Sequence, residues 1–279
     1  MKEFFLETDG YSQIAVTVFE PSSPRNKLLV INSATGVKQQ VYYSFAKYFA
    51  EYGFTVVTYD YSGIGQSKPK NLASSKATMR TWGTVDFKTI TDYVQQHYSE
   101  HTKYCLGHSV GALILGMNEG SQIFEKFVFV ATQDAYYGHL NLKIAALGFF
   151  GFGIAVPIIT RFFGYFPADR FGLGESLPSG VALDWRTLIL HRKSTSRLLE
   201  KISNDFSKHL TQITLIIHAE DDSWVTLKGM ESLMNTVYPH LEKKYYEIKI
   251  SESPKKEIGH VNFFRSYNRV LWRIVLDEL

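Results

Sequence analysis

The sequence predicts an α/β fold: a mostly parallel, eight-stranded sheet with helices on both faces and a helical cap inserted after the sixth strand. Three observations carry that prediction. Apolar residues recur alternately with the period of a strand and the period of a helix along the first third of the chain. The pentapeptide Gly107-His108-Ser109-Val110-Gly111 falls between a strand and a helix. The alternation breaks between about residues 138 and 205 and then resumes.

Residues 1 to 20 read as two antiparallel strands around an Asp9-Gly10 turn. Lys27 to Asn32 holds the run Leu-Leu-Val-Ile, which suits a strand covered on both faces. Val41, Phe45, Tyr48 and Tyr52 return at helical spacing, and Gly53 stands where a left-handed cap ends a helix. Phe54 to Tyr59, β-branched and aromatic, is the next strand. Phe87, Ile90 and Val94 mark a second helix, Tyr104 to Leu106 a very short strand, Val110 to Gly116 a further helix, and Lys126 to Thr132 the sixth strand. Ile213 to His218 and Tyr245 to Ile250 resume the strands, and Phe264, Tyr267, Leu271 and Ile274 share one face of a final helix. The chain thus divides into a core, residues 1–137 and 206–279, and a cap, residues 138–205, aromatic and glycine-rich from Leu147 to Phe166.

The 279 residues suffice for one catalytic domain with an insertion. The 30 basic and 27 acidic residues are interspersed, without the clustered Lys/Arg footprint of a nucleic-acid partner. A single cysteine, Cys105, excludes an intramolecular disulfide and offers no zinc-type ligand set, so no metal or cofactor is expected. Glu3, Glu7 and Asp9 interrupt the apolar run that a secretory signal needs, and a cytoplasmic location is expected. Ile144 to Thr160, uncharged between Lys143 and Arg161, is shorter than the roughly 20 residues of a membrane span. Its glycines and Pro157 predict a buried or interfacial hairpin, with interfacial contact but no stable span.

Chemistry points to Ser109. A Gly-x-Ser-x-Gly segment between strand and helix forces a sharp reversal with the serine in a strained conformation, and Gly107 and Gly111 leave room for it. A serine hydroxyl needs a base and an acid that orients the base. His260 lies in a loop beyond the last strand, where imidazole can be aimed at the elbow. Glu220, Asp221 and Asp222 follow the strand ending at His218, and Asp134, after the preceding strand, competes with them for the acid role. His108, inside the elbow, can serve beside the oxyanion or substrate or simply pack.

At these residues the chain resembles the α/β-hydrolase superfamily, in the order Ser109, Asp222, His260, and is most similar to bacterial hydrolases of the serine aminopeptidase-like and monoacylglycerol lipase-like group. Asp60-Tyr61-Ser62-Gly63-Ile64-Gly65-Gln66-Ser67 resembles the superfamily's structural D-x-x-G-x-G-x-S loop, and Asp222-Ser223-Trp224-Val225 its acid loop, which favours Asp222. Tyr165-Phe166-Pro167 through Pro178 and Trp185 is similar to the cap of the same group. Asn32-Ser33-Ala34-Thr35-Gly36 stands where many relatives carry His-Gly, so the resemblance implies Val110 N–H as one oxyanion donor and Ala34 or Thr35 as the other.

The expected activity is hydrolysis of a carboxylic ester, or a related thioester or amide, through an acyl-enzyme; acyl transfer to another acceptor and non-catalytic ligand binding are the alternatives. The expected partner is a small-molecule substrate, and the aromatic cap, with Phe149 and Phe150 as pocket candidates, suggests an apolar acyl group.

Overall fold

In the computed structural model, which describes residues 1–9 and 12–279, β1 (Lys2–Glu7) and β2 (Gln13–Phe19) pair antiparallel, Lys2 opposite Val18 and Glu7 opposite Gln13. Gly10 of the expected turn lies outside the described residues. β3 (Lys27–Asn32), β4 (Phe54–Tyr59), β5 (Thr102–His108) and β6 (Lys126–Val130) are followed, after a long excursion, by β9 (Ile213–Ala219) and β10 (Glu242–Ile248). The sheet order is β1-β2-β4-β3-β5-β6-β9-β10, antiparallel at the β1 and β2 edge and parallel from β4 onward. Every residue of β4, and all of β3 beyond Lys27, is buried, as strands covered on both faces require.

α1 (Tyr43–Glu51) turns Phe45 and Phe49 into the core and ends near Gly53, whose φ of 89° suits glycine. α2 (Met79–Thr81), a π-helical stretch Trp82–Phe87 and α3 (Lys88–His97) run on without interruption from a Thr78–Thr81 capping box. α4 (Val110–Leu113) leaves the elbow and tightens into a 3-10 turn, Ile114–Met117.

After β6 the chain leaves the sheet. α5 (Leu142–Phe150), a π-helical turn Gly151–Ala155 and α6 (Val156–Phe163) form one continuous 22-residue helix rather than the hairpin its glycines and proline suggest. The wider π turn precedes Pro157 in the first turn of α6, where a missing N–H is tolerated. The helix is also largely exposed, contrary to burial. β7 (Tyr165–Phe166) pairs with β8 (Leu177–Pro178), and α7 (Ser179–Leu190) and α8 (Ser194–Leu199) lead back to β9.

α9 (Leu227–Thr236), which the sequence reading did not single out, is capped by the Thr226 hydroxyl accepting from Gly229 N–H at 3.1 Å. The expected final helix is broken: 3-10 turns Asn262–Phe264 and Ser266–Trp272 precede a short α10 (Arg273–Glu278). The cause is Asn268, buried at a non-helical φ of −95° and ψ of 15°. Its amide donates to the carbonyls of Glu257 and Asn262 at 3.1 and 2.8 Å, and its oxygen accepts from Ser253 at 2.7 Å.

Candidate active site

Ser109 stands between β5 and α4 at φ 53° and ψ −117°. A side chain rarely adopts this conformation, and the neighbours hold it there: Ser109 N–H donates to the Val130 carbonyl at 2.9 Å, and the Thr132 hydroxyl donates to the Ser109 carbonyl at 2.9 Å. The flanking glycines are steric necessities. A Cβ on Gly107 would come 2.5 Å from Ala112 N, and one on Gly111 would come 2.2 Å from the Asn32 carbonyl oxygen. Asn32, buried at the end of β3, donates to the Gly111 carbonyl at 3.2 Å and accepts from the Tyr59 hydroxyl at 2.8 Å. Asn32 therefore braces the elbow.

His260 Nδ1 lies 2.8 Å from Asp222 Oδ2. Facing a carboxylate oxygen, Nδ1 carries the proton and leaves Nε2 as the basic nitrogen. The other Asp222 oxygen accepts from Trp224 N–H at 2.9 Å, so the carboxylate is fixed by its own loop. Ser109 and His260 line one cavity of about 480 Å³, without a hydrogen bond between them. Its walls are mainly apolar, with Lys38, Glu175 and Arg265 as the charged residues.

The competing acids have other tasks. Asp221 accepts the N–H groups of Ile258 and Gly259 at 2.9 and 2.8 Å and so grips the loop that carries His260, a role its sequence position did not reveal. Glu220 accepts Ile250 N–H at 3.0 Å. Asp134, buried, accepts Thr195 N–H at 3.2 Å and the Ser232 hydroxyl at 2.9 Å, tying α8 to α9.

Val110 lines the cavity at the first turn of α4, where backbone N–H groups lack helical partners. Ala34 is a correction: its N–H donates to the Tyr42 hydroxyl at 2.9 Å and is not free for an oxyanion. Thr35 also lines the cavity, and its N–H has no hydrogen-bond partner among the described residues. His108 is a second correction. It is fully buried behind the elbow and does not line the cavity; Nε2 meets the His260 carbonyl at 2.8 Å and Nδ1 meets the Tyr42 hydroxyl at 2.8 Å. Burial, reinforced by the neighbouring His260, pushes its pKa down to about 3, so the ring is neutral.

Phe149 and Phe150 are the third correction. Both are exposed on the outer side of the cap and absent from the cavity wall, because Gly148 and Phe152 take the inward positions of that helix. The aromatic residues that do reach the cavity are Trp185, on which Phe152 packs at 4.9 Å between ring centroids, and Trp224 beside Asp222. Glu175 tethers this part of the cap to the core: its N–H donates to the Gly36 carbonyl at 2.8 Å, and its carboxylate accepts from Gly65 N–H and pairs with Lys68, each at 2.9 Å. Gly65 belongs to the loop in which Asp60 accepts the N–H groups of Gln39 and Gln66 at 2.8 and 2.9 Å.

Known proteins agree with this architecture. The sequence model of the family described as serine aminopeptidase, S33, matches residues 23–133, a span that includes Ser109. No curated protein matches the chain in sequence. Among solved structures, an esterase from Exiguobacterium antarcticum is 13% identical with a TM-score of 0.62, the match covering 99% of each chain. A bromoperoxidase from Bacillus anthracis is 18% identical with a TM-score of 0.60 over 99% of this chain and 98% of its own. The thioesterase domain from the curacin biosynthetic pathway is 16% identical with a TM-score of 0.58 over 99% of each chain. By its sheet and its elbow the chain has the α/β-hydrolase fold, and its segment 23–133, which contains Ser109, is similar to the serine aminopeptidase, S33, family.

Proposed function

We propose that this chain is a serine hydrolase cleaving a carboxylic ester, or a related thioester or amide, with an apolar acyl group. The observation that carries the reading is Ser109, held at φ 53° and opening on the same cavity as the His260–Asp222 pair. His260 Nε2 takes the Ser109 proton as Oγ bonds to the substrate carbonyl carbon. The carbonyl oxygen gains the negative charge and is met by Val110 N–H and Thr35 N–H, each such donor being worth about 3 to 4 kcal/mol. Collapse breaks the bond to the leaving group, which departs with the proton from His260. Water then gives a proton to His260 and its oxygen to the acyl carbon; the bond from that carbon to Ser109 Oγ breaks, Oγ takes the proton back from His260, and the acid leaves.

Val37, Val41, Leu113, Leu173 and Leu188 in the cavity wall support an apolar acyl group. The resemblance in fold to proteins named as an esterase and a thioesterase domain supports the carbonyl class. Hydrolysis of nitrophenyl esters of increasing acyl length tests the proposal. Wild type is expected to turn them over, and Ser109→Ala to lose at least about 10³-fold in kcat/KM. Equal turnover by the two proteins rejects it.

A further inference from the structure

The cap turns its most apolar element toward solvent. Leu142–Phe163 is a 22-residue helix, long and apolar enough to cross a bilayer, yet only 17% of its most apolar stretch is buried. Gly148, Phe152, Val156 and Thr160, four residues apart, form its buried row. This row packs on α7, where Phe152 meets Trp185 and a Cβ on Gly148 would lie 3.2 Å from Ile189. A second row at the same spacing, Phe150, Ile154, Ile158 and Phe162, is between 52% and 81% exposed. The rows are offset by two residues and therefore occupy opposing sides of the helix. A helix fixed along one side to the protein is placed to lie on a surface, not to cross it.

The charges select the occupant. The helix contains no carboxylate, and its two charged residues, Lys143 and Arg161, are exposed, one near each end. Neither forms an ion pair among the described residues, whereas three cap carboxylates are paired with other bases, Glu175 with Lys68, Asp184 with Arg80, and Glu200 with Lys193 and Arg197, and Asp169 and Asp205 accept from Ser176 and Ser207. The face therefore offers apolar side chains between unneutralised bases. A second copy of the chain brings more bases to such a face, while anionic headgroups neutralise them as the phenylalanine and isoleucine side chains enter the acyl boundary.

We infer that helix Leu142–Phe163 is a docking surface for an anionic lipid bilayer, lying in the plane of the interface. Its buried row rests on Trp185 and Ile189, which line the Ser109 cavity, so the docked helix packs directly on the wall of that cavity. The surface does not depend on the chemistry of Ser109.

Co-sedimentation of the full chain with phosphatidylcholine vesicles, and with vesicles also containing phosphatidylglycerol, tests the proposal. Wild type is expected to partition roughly tenfold more strongly onto the anionic vesicles. The double variant Ile154→Ser/Ile158→Ser is expected to lose at least about tenfold on both, and Lys143→Gln/Arg161→Gln to lose the anionic preference. All four substituted side chains are exposed, so both variants keep the wild-type thermal midpoint. Ser109→Ala is expected to bind as wild type does, which separates failure of this surface from failure of the proposed activity. Equal partitioning of wild type and the serine double variant overturns the proposal. So does the absence of vesicle binding by wild type, or a wild-type dimer by light scattering that the double variant converts to monomer.

Discussion

Ala34, Tyr42, His108 and His260 form a chain of hydrogen bonds whose direction is fixed by chemistry. The His260 carbonyl can only accept, so His108 Nε2 carries the proton; neutral Nδ1 then accepts from the Tyr42 hydroxyl, whose oxygen accepts from Ala34 N–H. One buried line thereby joins the Ala34–Thr35 loop, the elbow and the backbone of His260. Tyr42→Phe leaves His108 Nδ1 and Ala34 N–H without their partner, at a cost on the order of 1 to 3 kcal/mol in stability. It is expected to lower kcat on a nitrophenyl ester about tenfold or more with KM nearly unchanged, because it shifts the oxyanion loop and leaves the cavity wall intact. Steady-state kinetics checks this split, and a rise in KM at constant kcat contradicts it. Ser109 was legible in the sequence because glycine spacing and strand-to-helix context express a steric demand. The choice between Ala34 and Thr35 was not, since whether Ala34 has a free N–H depends on a tyrosine eight residues beyond it.

Among the loops, Asp221 does for the His260 segment what Asp222 does for the imidazole. Its two oxygens each accept a backbone N–H, from Gly259 and from Ile258. Asn at this position turns one acceptor into a donor facing an N–H, so Asp221→Asn is expected to destabilise the chain by about 1.5 to 3 kcal/mol and to slow acylation of Ser109. Urea denaturation with stopped-flow acylation measures both, and a variant with wild-type stability contradicts the role. Elements with strong patterning were readable: β3 and β4 have the bounds expected of them, Lys27–Asn32 and Phe54–Tyr59. The last helix was not, because its face of Phe264, Leu271 and Ile274 says nothing of Asn268, whose buried amide claims carbonyls from two neighbouring turns. The cap helix misled for a related reason. Glycine and proline are breakers by local propensity, but a π turn absorbs them here.

For the whole molecule, two buried groups give stability opposing dependences on pH. Burial raises Asp86 to about 7 despite the bonds from the Ser62 N–H and hydroxyl, each 2.8 Å long. The folded chain thus keeps a proton that the unfolded chain releases near its ordinary value of 3.8, and this contribution is full below that value and lost as pH rises toward 7. His108 works the other way: the unfolded chain gains a proton below 6.5 that the folded chain refuses until about 3, so stability falls as pH falls through that window. Each slope is at most about 1.4 kcal/mol per pH unit, and they oppose one another where the windows overlap. Asp86→Asn, whose amide can still bond Ser62, is expected to gain stability relative to wild type at pH 8 and to show no such gain at pH 4; urea titrations at both values decide, and equal differences contradict the assignment. The sheet and the pairing of His260 with Asp222 were legible from sequence and resemblance together, whereas the cavity wall was not, because which cap aromatics face inward is decided by the packing of one helix on α7. The most direct test of the central claim is intact-protein mass spectrometry after treatment with a fluorophosphonate, followed by peptide mapping. One adduct is expected, on Ser109, absent in Ser109→Ala and formed at least about 10³-fold more slowly in His260→Ala. An adduct on another residue, or equal labelling of wild type and Ser109→Ala, would contradict it.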